Sequence, residues 1–130
     1  MDRETLIRQW LIDLRGGEFK QGRGALASGD RRCCLGVLCE TYIRLGGELR
    51  KVKVLDGLQT SYDRHTGNLP DVVRAAAGLS VATAEDLVHL NDEKKWSFSQ
   101  IADWVTLRRD QDTVPLNDTE FSPRSDENEQ

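Results

Sequence analysis

The sequence predicts an α+β domain: about five helices around a short antiparallel β-hairpin sheet. Three observations predict it. Apolar residues recur at helical spacing in about five stretches, and two of these end in double glycines, Gly16-Gly17 and Gly46-Gly47. One run alternates with period two about Asp56-Gly57, a hairpin signal because both central residues need positive φ. Strict β-α-β alternation is missing, so a parallel α/β sheet is not expected.

The elements follow in order. Residues 2–15 form an amphipathic helix, with Asp2 as cap and Leu6, Ile7, Trp10, Leu11 and Leu14 on one face. Gly16-Gly17 stops it with a left-handed cap. Residues 19–32 are Gly-rich, with a turn at Ser28-Gly29-Asp30 and a loose hairpin about it. A second helix runs from about Cys34 to Leu45. Strands are placed near 51–55 and 58–62, and His65 to Leu69 is loop. Pro70 and Asp71 suit the first turn of a helix over 70–77, stopped by Gly78. A short helix runs from Thr83 to about Leu90, with Asn91-Asp92 as its stop. Ser97-x-x-Gln100 is a capping box. It opens a last helix to about Arg108 whose inner face is Phe98, Ile101, Ala102 and Val105.

The chain has 130 residues, 38% hydrophobic and 31% charged, which is one domain with an economical core. Residues 1–109 are expected to be that globular domain. They hold 17 bases against 15 acids, whereas 110–130 hold seven acids and one base. The end is therefore read as an acidic, weakly packed tail. The basic excess of the body is too small to imply nucleic-acid binding, and Glu85, Asp86, Glu93 and Asp103 on the late helices would repel phosphate. DNA is not an expected partner. No apolar run approaches the ~20 residues that span a bilayer, and the N-terminus has no signal-peptide block. A cytoplasmic protein with no membrane partner is expected. Three cysteines without an export signal argue against a disulfide framework.

The stretch from Phe19 to Cys39 concentrates the candidate chemistry, since it holds all three cysteines and four cations. Cys33-Cys34 and Cys39 lack the paired spacing of a zinc site, so no metal is expected, and Cys34 and Cys39 are read as small buried hydrophobes. Cys33 follows Arg31-Arg32 at a helix start, which would lower a thiol pKa; it is the one candidate nucleophile, without a signature around it. Lys20-Gln21-Gly22-Arg23-Gly24 is the candidate anion cradle. Its glycines let backbone N–H groups approach a ligand, and Lys20, Arg23, Arg31 and Arg32 supply charge. It is not a Walker loop, because no Gly-Lys-Ser/Thr follows. A solvated turn is the plainer reading. Asn91 and Asp92 are candidates for a polar contact to the same ligand. Trp104 is a candidate contact face for a protein partner.

Five pieces, in order, resemble a family of small proteins of tailed bacteriophages and prophages. They are Leu14-Arg15-Gly16-Gly17, Lys20-Gln21-Gly22-Arg23-Gly24-Ala25-Leu26, Cys33-Cys34-Leu35-Gly36-Val37-Leu38-Cys39, Leu90-Asn91-Asp92 and Ser97-Phe98-Ser99-Gln100-Ile101-Ala102. The likeness covers about residues 3–108 and implies a phage origin, hence the host cell cytoplasm. It implies an accessory role, since such proteins often counter host defence. The expectation is a non-enzymatic protein that sequesters an anionic, nucleotide-like ligand, without a cofactor. The alternatives are an inhibitor of a host defence protein, using the acidic tail or the Trp104 face, and a cysteine-dependent enzyme. A homo-oligomer is left open.

Overall fold

A computed structural model describes residues 1–112. The elements are α1 (Arg3–Arg15), β1 (Lys20–Gln21), β2 (Ala27–Ser28), β3 (Arg31–Arg32), α2 (Cys34–Arg44), β4 (Lys51–Val54), β5 (Gln59–Tyr62), α3 (Asp71–Ala77), α4 (Val81–Asp92) and α5 (Phe98–Asp112). The acidic tail expected over 110–130 lies, from residue 113 on, outside the described residues.

The chain is the α+β domain that the patterns predict. Asp2 caps α1 by accepting from the Thr5 N–H at 2.7 Å. The Ser97 box is reciprocal: the Gln100 N–H donates to Ser97 Oγ and the Ser97 N–H to Gln100 Oε1. α4 is longer than expected at both ends. Ser80, not a residue near Thr83, caps it by accepting from the Thr83 N–H. Asn91 and Asp92 are its last turn and not a stop after it.

The sheet is mixed and five-stranded, in the order β1-β3-β2-β5-β4. β2 and β3 form the loose hairpin about Gly29-Asp30, and β4 pairs antiparallel with β5. β1, however, runs parallel to β3, so the sheet is more than the hairpin pair expected. The β4–β5 connection is four residues, Leu55 to Leu58, and Leu55, Asp56 and Gly57 are all left-handed.

Side chains opposite one another in paired strands share a face, so the register sorts the sheet. Gln21, Arg32, Ala27, Thr60, Tyr62, Lys51 and Lys53 share one face. This face meets the helices: the Tyr62 hydroxyl donates to Glu40 of α2 at 2.5 Å, and Arg32 and Lys51 pair with the same carboxylate. Lys20, Arg31, Ser28, Gln59, Ser61, Val54 and Val52 share the other. None of their side chains is hydrogen-bonded to a helix among the described residues.

The core lies between the helices and the inner sheet face. α1 contributes Leu6, Ile7, Trp10, Leu11 and Leu14, and α2 contributes Cys34, Leu35, Val37, Leu38 and Cys39. The Trp10 indole N–H donates to the Cys34 carbonyl at 3.0 Å, and buried Asp13 accepts from the Thr41 hydroxyl at 2.6 Å. Gly36 is where α2 crosses β2: a Cβ there would overlap the Leu26 carbonyl.

Candidate functional site

The Gly-rich loop and the Leu90-Asn91-Asp92 turn meet, and they meet through Asn91. Its side chain is fully buried. Its Oδ1 accepts from Gln21 Nε2 at 2.9 Å and from the Cys34 N–H at 3.2 Å. Its Nδ2 donates to the Gly22 carbonyl and to Asp92 Oδ1, both at 2.8 Å. A primary amide has two donor hydrogens and one oxygen with two lone pairs, and all four capacities are filled from within the protein. Asn91 is therefore a clasp joining β1, the start of α2 and the end of α4, and not a group left to read a ligand.

The neighbours of Asn91 reinforce the clasp. Gln21 also donates to the Trp96 carbonyl at 2.8 Å, and Arg23 Nε to the Asn91 carbonyl at 3.0 Å. Gly22 is buried because β3 passes over it: a Cβ would come within 2.9 Å of Arg31 Cβ. Gly22 thus admits a neighbouring strand where the sequence suggested a ligand. Gly24 is glycine because its φ is +86°. The start of α2 is also occupied. Cys33 caps it, its Sγ accepting from the Gly36 N–H, and Asn91 takes the Cys34 N–H. Its first-turn amides are therefore not offered to an anion.

The cysteines lie inside the core. All three are free and buried. Burial pushes the Cys33 thiol up to about 11, against the amides of Gly36 and Leu35 that pull it down. Burial likewise raises Cys34 and Cys39. The thiolate that Arg31, Arg32 and the helix start were expected to favour does not form near neutral pH, because desolvation wins. No group of three metal-ligating side chains occurs among the described residues, and no helix there is long and apolar enough to cross a membrane.

The candidate cations do not aim at one point. Arg23 and Arg32 belong to the helix side, held by Asn91 and Glu40. Lys20 and Arg31 lie on the outer sheet face. Lys20 pairs with Asp30 at 3.1 Å and holds its carboxyl below the usual range, and Arg31 donates to the Gln21 carbonyl. Trp104 is half-buried, with the Arg108 guanidinium 4.7 Å from its ring centroid, so one ring face is already covered.

Two cations on the outer face were not legible in the sequence: Arg50 and Arg64. With Val52, Val54, Leu55, Gln59, Ser61 and Thr66 they line a recess of about 530 Å³ on the outside of the β4–β5 hairpin. Neither guanidinium has a hydrogen bond or ion pair among the described residues, although Arg15, Arg32, Arg44 and Arg74 each hold a carboxylate. Among the described residues no carboxylate lines the recess. The alternation about Val52 and Val54 marks the hairpin, but which face is left uncovered depends on pairing with β2.

The chain matches, over residues 1–109, the family described as a domain of unknown function, DUF8296. It belongs to that family. No curated protein and no solved structure matches it.

Proposed function

We propose that the protein is a non-catalytic binding protein that captures an anionic, nucleotide-like ligand on the outer face of its sheet. One observation carries this reading. That face holds Lys20, Arg31, Arg50 and Arg64, with Asp30 paired to Lys20 and with Asp56 and Asp63 in the turns beside the recess, and the Arg50 and Arg64 guanidiniums have no partner among the described residues. Arginine offers a planar fork of donors matched to phosphate, and a guanidinium without an internal partner is free to use it. The buried, protonated cysteines weigh against a thiol enzyme. The resemblance to phage and prophage proteins supports a setting in the infected cell, where removal of a nucleotide signal would blunt host defence.

The test is thermal shift against a panel of mono-, di- and oligonucleotides, with the wild type beside the fourfold variant Lys20→Ala, Arg31→Ala, Arg50→Ala, Arg64→Ala. The wild type is expected to gain melting temperature with at least one member, less so at high salt. The variant is expected to gain none. A wild type that responds to no member refutes the reading.

A second reading, an inhibitor that docks on a host protein, is favoured by one feature. Leu55 and Leu58 at the hairpin tip are 63% and 70% exposed, and exposed apolar side chains gathered at one place mark contact surfaces. The hairpin tip replaces the Trp104 face as the candidate contact.

A further inference from the structure

We propose that the hairpin recess is a phosphate-ester site, in which Arg50 and Arg64 hold the phosphate while Val52, Val54 and Leu55 carry the ligand's apolar or planar part. The inference rests on the anion-capture reading and narrows it to one site and one ligand class: small phosphomonoesters with an organic group large enough to cover the valines.

Backbone conformation shapes the rim of this recess. Among the described residues, five non-glycine positions have left-handed φ: Leu55, Asp56, Asp63, Arg64 and Lys95. Four of the five belong to the two turns that bound the recess, the β4–β5 loop and the Tyr62–His65 turn. Side chains rarely adopt this region, and such strain collects at ligand sites. Asp63 has a local reason to tolerate it. Aspartate is at ease there, and its Oδ1 accepts from the Arg50 N–H at 2.7 Å. Arg64, at φ +72°, is the second central residue of the two-residue Tyr62–His65 turn, a position that calls for positive φ and favours glycine. Glycine would be cheaper at that position, and the arginine contributes only its side chain.

The same turn ties the backbone of Arg50 to that of Asp63, beside Arg64. The Asp63 N–H donates to the Arg50 carbonyl at 2.9 Å, and Tyr62 and His65 exchange backbone hydrogen bonds at 2.9 Å each. Arg50 and Arg64 therefore spring from one tied backbone frame, which lowers the ordering cost of binding. The polar floor adds donors. Ser61 Oγ is spent on the Val52 carbonyl, but the Gln59 amide and the Thr66 hydroxyl have no side-chain hydrogen bond among the described residues. The recess volume falls in the range of small-molecule sites, roughly 300–1,000 Å³. Its wall of Val52, Val54 and Leu55 is partly to largely exposed and would be covered by a base or another flat group.

The test is calorimetry at low salt with inorganic phosphate, adenosine and adenosine monophosphate as probes. The proteins are the wild type, Arg64→Gly, Arg50→Gln and the pair Lys20→Ala/Arg31→Ala. The wild type is expected to bind the monophosphate, to bind phosphate more weakly, and to leave adenosine unbound. Arg64→Gly and Arg50→Gln are each expected to weaken the monophosphate about ten- to a hundredfold, the scale of a lost charge-assisted contact. Arg64→Gly should melt within a few degrees of the wild type, because glycine relieves the left-handed turn as it loosens the unfolded chain. The Lys20/Arg31 pair, on the same face but outside the recess, should weaken the monophosphate less than either recess variant, through longer-range charge alone. Unchanged binding by Arg64→Gly and Arg50→Gln overturns the proposal. If the Lys20/Arg31 pair alone loses the monophosphate, the outer face still captures anions and the recess is not where it does so. If the wild type binds neither phosphate nor the monophosphate, the recess site is refuted, and the wider nucleotide panel decides the capture reading separately.

Discussion

Replacing Asn91 with alanine tests the clasp at the centre of the fold. The side chain is fully buried and fills four hydrogen-bonding roles. Two of its partners are backbone groups that a truncation strands, the Cys34 N–H and the Gly22 carbonyl. Each unsatisfied buried group costs about 1–3 kcal/mol. Gln21 keeps its bond to the Trp96 carbonyl, and half-buried Asp92 has access to water, so their losses are smaller. The sum is a destabilisation of about 3–5 kcal/mol, a large part of the ~5–15 kcal/mol of a typical domain. It corresponds to a fall in melting temperature of roughly 15–30 °C at this size. Urea denaturation followed by tryptophan fluorescence measures it, with the midpoint moving and the slope unchanged. A loss below about 1 kcal/mol would refute the clasp. Retained stability together with lost nucleotide binding would instead make Asn91 a ligand contact.

Further outcomes follow from the same structure. At pH 8 a thiol reagent should label none of the three cysteines in the native protein and all three after denaturation, since Cys33 needs a pH near 11 to ionise; rapid native labelling of Cys33 would return it to the list of nucleophiles. Burial alone would raise Glu40, but the Tyr62 hydroxyl, Lys51 and Arg32 outweigh it and hold the carboxyl below its ordinary 4.5. A carboxyl depressed on folding lends stability above its unfolded pKa, and that stability is lost as pH falls through the folded value. Stability should therefore be flat near neutrality and fall below about pH 4.5, and Glu40→Gln should flatten that fall; an unchanged acid limb in a stability-versus-pH titration would contradict the Glu40 network.

Local chemistry was legible and non-local pairing was not. Asp2 and the Ser97–Gln100 box act on partners within a turn, so their residue types announce them. The β1–β3 pairing is different. Two strands of two residues each carry no periodicity, and their parallel arrangement follows from long-range contacts. Ser80 does not announce itself as a cap, because Gly78-Leu79 breaks the pattern before it and Val81-Ala82 blurs the start after it. Asn91 reads in sequence as a polar helix stop, although its decisive partners, Gln21, Gly22 and Cys34, lie 57 to 70 residues away. The same physics moved the candidate site. Lys20-Gln21-Gly22-Arg23-Gly24 has the composition of an anion cradle, but buried polar groups must pair, and here they pair with one another. Arg50 and Arg64 sit among ordinary surface charges until the register places them on one uncovered face.

Capture of a nucleotide-like anion by the outer face, as proposed above, can be read on the purified protein itself. The most direct measurement is native mass spectrometry of the protein purified from phage-infected bacterial cells, beside its Lys20/Arg31/Arg50/Arg64 fourfold alanine variant. The account predicts extra mass on the wild type that releases a phosphorylated small molecule on denaturation, and a bare variant. The same extra mass on both proteins, or bare protein in both, would contradict it.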